Sequence, residues 1–70
     1  MSEFKISLKA ARVNAGFTLD EAAIKLHTTK QTLIKYEKGE TYPTVDKMIE
    51  ICHLYGVRLE SILFLPKESN

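Results

Sequence analysis

Between Thr29 and Gly39 the chain carries Lys30, Gln31, Lys35 and Lys38. Ammonium groups donate charge-assisted hydrogen bonds and attract anions, while an amide both donates and accepts, so this run suits a polyanionic partner. The residues that could do covalent or metal chemistry are not arranged for it. Cys52 and His53 lie far in sequence from His27, without metal-ligand spacing, and Cys52 falls on the apolar stripe of a helix, where it reads as a small core side chain. No Ser/His/Asp, Cys/His or paired-carboxylate set has supporting context, and no Gly-rich phosphate loop is present. Neither catalysis, nor a metal or cofactor, nor a small-molecule substrate is expected.

Size points the same way. Seventy residues, 44% apolar and 27% charged, make one small core that buries only about 60% of the surface of the unfolded chain, which leaves no cleft between domains for an enzyme. A single cysteine excludes an internal disulfide framework. No apolar stretch approaches the roughly 20 residues that cross a bilayer, and the N-terminus lacks the apolar region of a signal peptide. A cytoplasmic protein is expected. The net charge is only +1, yet residues 1–39 carry seven Lys and Arg against four Asp and Glu, and residues 40–70 carry three against five. The field is oriented, with its positive end in the first half.

The elements that must position the basic run read as five short helices, an all-α domain over residues 1–65 with a polar tail at 66–70. Ser7 caps a first helix running to about Ala15, with Leu8, Ala11, Arg12 and Ala15 on one face and Gly16 ending it. Thr18-Leu19-Asp20-Glu21 is a capping box that starts a second helix, whose buried stripe is Ala22, Ala23 and Leu26. Thr28 or Thr29 starts a third helix, which runs to Gly39 with Leu33, Tyr36 and Glu37 on its inner face. Thr44 caps a fourth, with the stripe Val45, Met48, Ile49, Cys52 and Tyr55, ended by Gly56. Leu59 to Phe64 forms a fifth before Pro66.

A two-turn helix, a turn of about four residues and a second helix with a basic, amide-bearing face fit a helix-turn-helix built from helices two and three. Ala23 lets the third helix cross closely, Leu33 anchors it, and its start is left protruding. A protruding helix fits the roughly 12 Å major groove of double-stranded DNA.

The stretch Leu8 to Phe64 resembles the Cro/repressor-type, lambda-repressor-like helix-turn-helix family. The resemblance rests on Leu8-Lys9-Ala10-Ala11-Arg12, Ala15-Gly16-Phe17-Thr18, Glu21-Ala22-Ala23-Ile24-Lys25-Leu26, the run Thr29 to Gly39, Tyr42-Pro43-Thr44-Val45, and Leu54 to Leu63. It implies a compact five-helix DNA-binding domain acting as a transcriptional regulator, in the repressor sense. Carried over by position, it implies base contacts from Thr29, Lys30, Gln31, Ile34 and Lys35, with Gln reading adenine, Lys reading guanine and Ile34, taken as exposed, meeting a thymine methyl. It implies phosphate contacts from Thr18, Thr32, Lys38 and Tyr42, and an internal ion pair between Arg12 and Glu37, with direct use of Arg12 on phosphate as the rival reading.

Three positions depart from the pattern. Leu19 replaces the glutamine that often follows the cap of helix two, Glu40 stands where relatives often place Lys or Arg, and His27 occupies a turn position that often holds Gly. There either the turn is shifted or His27 is strained, since a positive φ costs a non-Gly residue about 1–2 kcal/mol. The first two departures leave open an alternative, a protein-interaction module of the same fold, antitoxin-like or antirepressor, with weak or no DNA binding. Ile62, Leu63, Phe64 and Leu65 are more consecutive apolar residues than one stripe uses, so either they fold back onto the core or Ile62, Phe64 and Leu65 form a homodimer interface.

Overall fold

Every helix begins at a hydroxyl. Ser7, Thr18, Thr29 and Thr44 hold extended N-cap backbone, and their side-chain oxygens accept the N–H groups of Ala10, Glu21, Thr32 and Lys47 at 3.0, 3.1, 3.1 and 3.2 Å. Each cap satisfies a donor that the helix itself cannot, worth about 1 kcal/mol. At Thr18 the arrangement is reciprocal, because its own N–H donates to Glu21 Oε1 at 3.0 Å. The computed structural model describes residues 5–63. Within them the chain runs β1 (Ile6–Ser7), α1 (Leu8–Asn14), α2 (Leu19–Lys25), α3 (Lys30–Lys38), α4 (Val45–Tyr55), a 3-10 turn (Leu59–Ser61) and β2 (Ile62–Leu63).

The four α-helices also end alike. The amide just beyond a left-handed residue returns to the carbonyl five residues back: Phe17 to Arg12, Thr28 to Ala23, Glu40 to Lys35 and Val57 to Cys52. The left-handed residue is glycine three times and His27, at φ 57°, once. The turn between α2 and α3 is therefore not shifted, and His27 adopts the strained conformation. Lys47 supports this turn from α4, its Nζ donating to the Leu26 carbonyl at 2.5 Å and lying 3.2 Å from Glu50 Oε1.

The core gathers buried side chains from all four α-helices and from β2, with Leu26 and Ile51 the largest fully buried and Ala11 and Ala22 allowing close approach of the helices. Burial of a leucine or isoleucine here stabilises by roughly 1.5–3 kcal/mol. Phe17 and Tyr55 close one side as a tilted ring pair, centroids 6.3 Å apart.

Two expectations are corrected. The expected fifth helix from Leu59 is a single 3-10 turn followed by β2, which pairs in parallel with β1 through Ile6 with Ile62 and Ser7 with Leu63. Its side chains alternate, Ile62 buried and Leu63 exposed, a period of two that a helix does not produce. Among the described residues there are therefore four α-helices and a small strand pair rather than an all-α, five-helix fold. In α4 the buried face is Ile51, Cys52 and Tyr55, while Val45 and Ile49, expected in the stripe, are 72% and 46% exposed. Phe64, Leu65 and the tail at 66–70 lie outside the described residues. Among the described residues no helix is long and apolar enough to cross a membrane.

Candidate nucleic-acid interface

The first turn of α3 is shaped by Thr29. Its hydroxyl accepts from the Thr32 amide and lies 2.9 Å from the Thr32 hydroxyl, so both side chains are engaged within the cap. Lys30 and Gln31 follow immediately and are exposed, as are Lys35 and Lys38 further along, while Leu33 is buried and holds the helix to the core. α3 thus shows three ammonium groups and one amide to solvent.

Ile34 departs from expectation. It is half-buried rather than exposed, and lines a hollow with Lys9, Arg12, Leu19, Glu37 and Lys38. The residues of α1, α2 and α3 meet there because α3 crosses both earlier helices.

Arg12 fixes that crossing. Its Nε donates to Glu37 Oε2 at 2.8 Å, Nη2 to Oε1 at 3.4 Å, and Nη1 to the Phe17 carbonyl at 2.9 Å, so one guanidinium ties α1 to α3 and to the loop before α2. The arginine is 7% exposed. The Glu37 hydrogen bond holds its pKa above the usual value, more than burial lowers it. Burial pushes the nearby Tyr55 phenol up to about 12, with the Glu37 charge adding to the rise and the Arg12 charge opposing it. With its guanidinium committed inward, Arg12 presents no free donor fork to a phosphate.

Of the other sequence-derived residues, Thr18 caps α2 and is exposed, and Tyr42 is exposed in the loop before α4. Ile62, expected at a dimer contact, is 4% exposed and packs within its own chain. Its neighbour Leu63 is 49% exposed. Burial pushes the Cys52 thiol up, in keeping with a core side chain.

Sequence reasoning overlooked Lys47, whose reach to the end of α2 no spacing rule announces, and Lys9, although its place three residues before Arg12 puts it nearly one turn away on the same helix. It also treated His27 and His53 as unrelated. They line one shallow hollow with Lys25, Leu26, Glu50 and Leu54, although no three metal-ligating side chains gather among the described residues.

Comparison with known proteins gives the same picture. A helix-turn-helix family profile matches residues 8–62. The chain is similar to the HTH-type transcriptional regulator ImmR of Bacillus subtilis, 38% identical over 56 residues, covering 80% of this chain and 44% of that protein. The chain thus spans less than half the length of ImmR. An uncharacterized HTH-type transcriptional regulator of Methanocaldococcus jannaschii is 34% identical over 58 residues, covering 83% of this chain and 88% of the relative. The uncharacterized HTH-type transcriptional regulator YgzD of Bacillus subtilis is 25% identical over 65 residues, covering 93% and 98%. No solved structure matches. The capped recognition helix, the buried arginine–glutamate tie and the matched profile lead to one conclusion: the chain belongs to the Cro/C1-type helix-turn-helix family.

Proposed function

We propose that this DNA-binding transcriptional regulator lays α3 in the major groove of an operator, works as a homodimer, and represses by occupying its site. The observation that carries the reading is the first turn of α3, where Thr29 is engaged in capping while Lys30 and Gln31 stand exposed. Lys30 is suited to the O6 and N7 acceptors of guanine and Gln31 to N6 and N7 of adenine. Lys35 follows one turn later, and the partly covered Ile34 offers a methyl-sized apolar contact beside it. Thr32 and Lys38 of α3, Thr18 at the start of α2 and Tyr42 in the loop before α4 serve as phosphate contacts, and the Arg12–Glu37 tie sets the angle at which α3 is presented.

The dimer follows from magnitude. One recognition helix covers few base pairs, and a half-domain of charge +3 neutralises few phosphates. Two copies related by a two-fold axis place their helices in successive major grooves about 34 Å apart. The contact belongs to the segment from Leu63 through Phe64 and Leu65, with Ile62 kept for the core.

Selection from a random duplex pool tests the reading. It should return a two-fold symmetric consensus, and Gln31→Ala should lose about 1–3 kcal/mol on that sequence while the folding transition stays in place. A Gln31→Ala variant with the parent's ratio of specific to random binding removes Gln31 from base reading. A pool that yields no consensus favours the protein-interaction module to which Leu19 and Glu40 point.

A further inference from the structure

The hollow beside α3 is lined by Lys9 and Arg12 of α1, Leu19 of α2, and Ile34, Glu37 and Lys38 of α3. Its volume, about 240 Å³, falls below the roughly 300–1,000 Å³ of pockets that enclose small ligands. Its chemistry is segregated. Leu19 and Ile34 are half-buried and apolar, whereas Lys9 and Lys38 are exposed. The one carboxylate present, Glu37, is held by Arg12 at 2.8 Å. Two lysine charges are therefore left uncompensated by the lining, and among the described residues neither lysine has an ion pair.

A hollow lined by two apolar side chains and two unpaired cations complements a partner in which apolar and anionic groups alternate. The sugar–phosphate backbone repeats that unit, a deoxyribose between phosphates. We infer that this hollow seats a short stretch of DNA backbone, with the deoxyribose over Leu19 and Ile34 and neighbouring phosphates on Lys9 and Lys38. Lys9 is thereby a DNA contact contributed by α1, outside the helix-turn-helix. The inference rests on the DNA-binding reading and adds a ligand to one defined place within it. The buried Arg12–Glu37 tie keeps the two lysines in register, since it joins the two helices that carry them.

Titration of a short random-sequence duplex at several salt concentrations tests this without knowledge of the operator. Lys9→Gln, Lys38→Gln and, as a control of equal charge change, Lys25→Gln are compared with the parent after their urea midpoints are shown to match. The slope of log Kobs against log[salt] should become shallower by about 0.9 for Lys9→Gln and for Lys38→Gln. It should stay at the parent value for Lys25→Gln, which lies outside the hollow. On the selected site, phosphate ethylation should lose its effect at one position with Lys9→Gln and at a neighbouring phosphate of the same strand with Lys38→Gln. A parent slope in Lys9→Gln, an equal change in Lys25→Gln, or two lost positions far apart overturns the inference while leaving DNA binding intact. A parent that binds without salt dependence removes the DNA-binding reading, and this inference with it.

Discussion

The two halves of the domain are held together by different means. From β1 through α3 the chain adds to its share of the apolar core a capping box at Thr18 and the buried Arg12–Glu37 pair, and it exposes Lys9, Lys25, Lys30, Lys35 and Lys38 alongside Val13 and Ile24. From α4 onward it relies on apolar packing by Ile51, Tyr55 and Ile62, and it exposes Val45, Ile49, Leu59 and Leu63. The difference fits the proposed function, in which α3 faces DNA. In that reading α3 keeps its outer side free for donors, and it is attached to the core by Leu33 and by the directional Arg12–Glu37 contact.

The contrast breaks most sharply at the ion pair. Arg12→Met or Glu37→Leu alone should cost about 3–5 kcal/mol in urea unfolding, because each leaves a buried charge without its partner. The double substitution should recover much of that loss. Additive costs in the cycle would mean that the pair is not what joins α1 to α3.

In the second half the expected pattern is apolar and alternates along β2. Ile62→Ala should cost about 2–5 kcal/mol, whereas Leu63→Ala should stay within about 0.5 kcal/mol in the monomer. Equal costs would show that β2 does not present one residue to the core and the next to solvent.

The smallest effect sharpens the comparison at the boundary between α2 and α3. His27→Gly removes a left-handed strain of about 1–2 kcal/mol and adds unfolded-chain entropy of about 0.5–1 kcal/mol. A net gain of about 0–1.5 kcal/mol in unfolding free energy is therefore expected from urea titration, and a loss would mean that the His27 side chain contributes packing that outweighs the strain.

What could be read from the residues alone divides along the same line. Ser7, Thr18, Thr29 and Thr44 as caps, Gly16, Gly39 and Gly56 as stops, and the tension at His27 are local, coded within a few positions. They were legible because a cap needs only a hydroxyl and an amide three residues away. The strand at Ile62–Leu63 was not, since its partner lies at the other end of the described chain and a run of apolar residues has no period that separates helix from strand. The stripe of α4 was misphased for a related reason: Val45, Ile49 and Ile51 are equally apolar, and only the position of the neighbouring elements decides that Ile51 turns inward. Ile34 was read as exposed because the overlap of three helices at its hollow is a tertiary fact. Lys30 and Gln31 were singled out through the cap that precedes them, and both stand exposed in the first turn of α3.

The pairing of Ile6 with Ile62 also sets an order of events in folding. The four helices are assembled from local signals, but the parallel contact requires the two ends of the domain to meet, and that closure offers only two short strands in return. Loop-closure entropy rises by about 0.6 kcal/mol for each doubling of loop length, so the helices reward early contact and the strand pair does not. β2 should dock after the rate-limiting step, with Ile62→Ala speeding unfolding and leaving refolding nearly unchanged. A nascent chain would then carry an assembled recognition helix before its last strand closes over the start of α1, and slower refolding of Ile62→Ala would reverse that order.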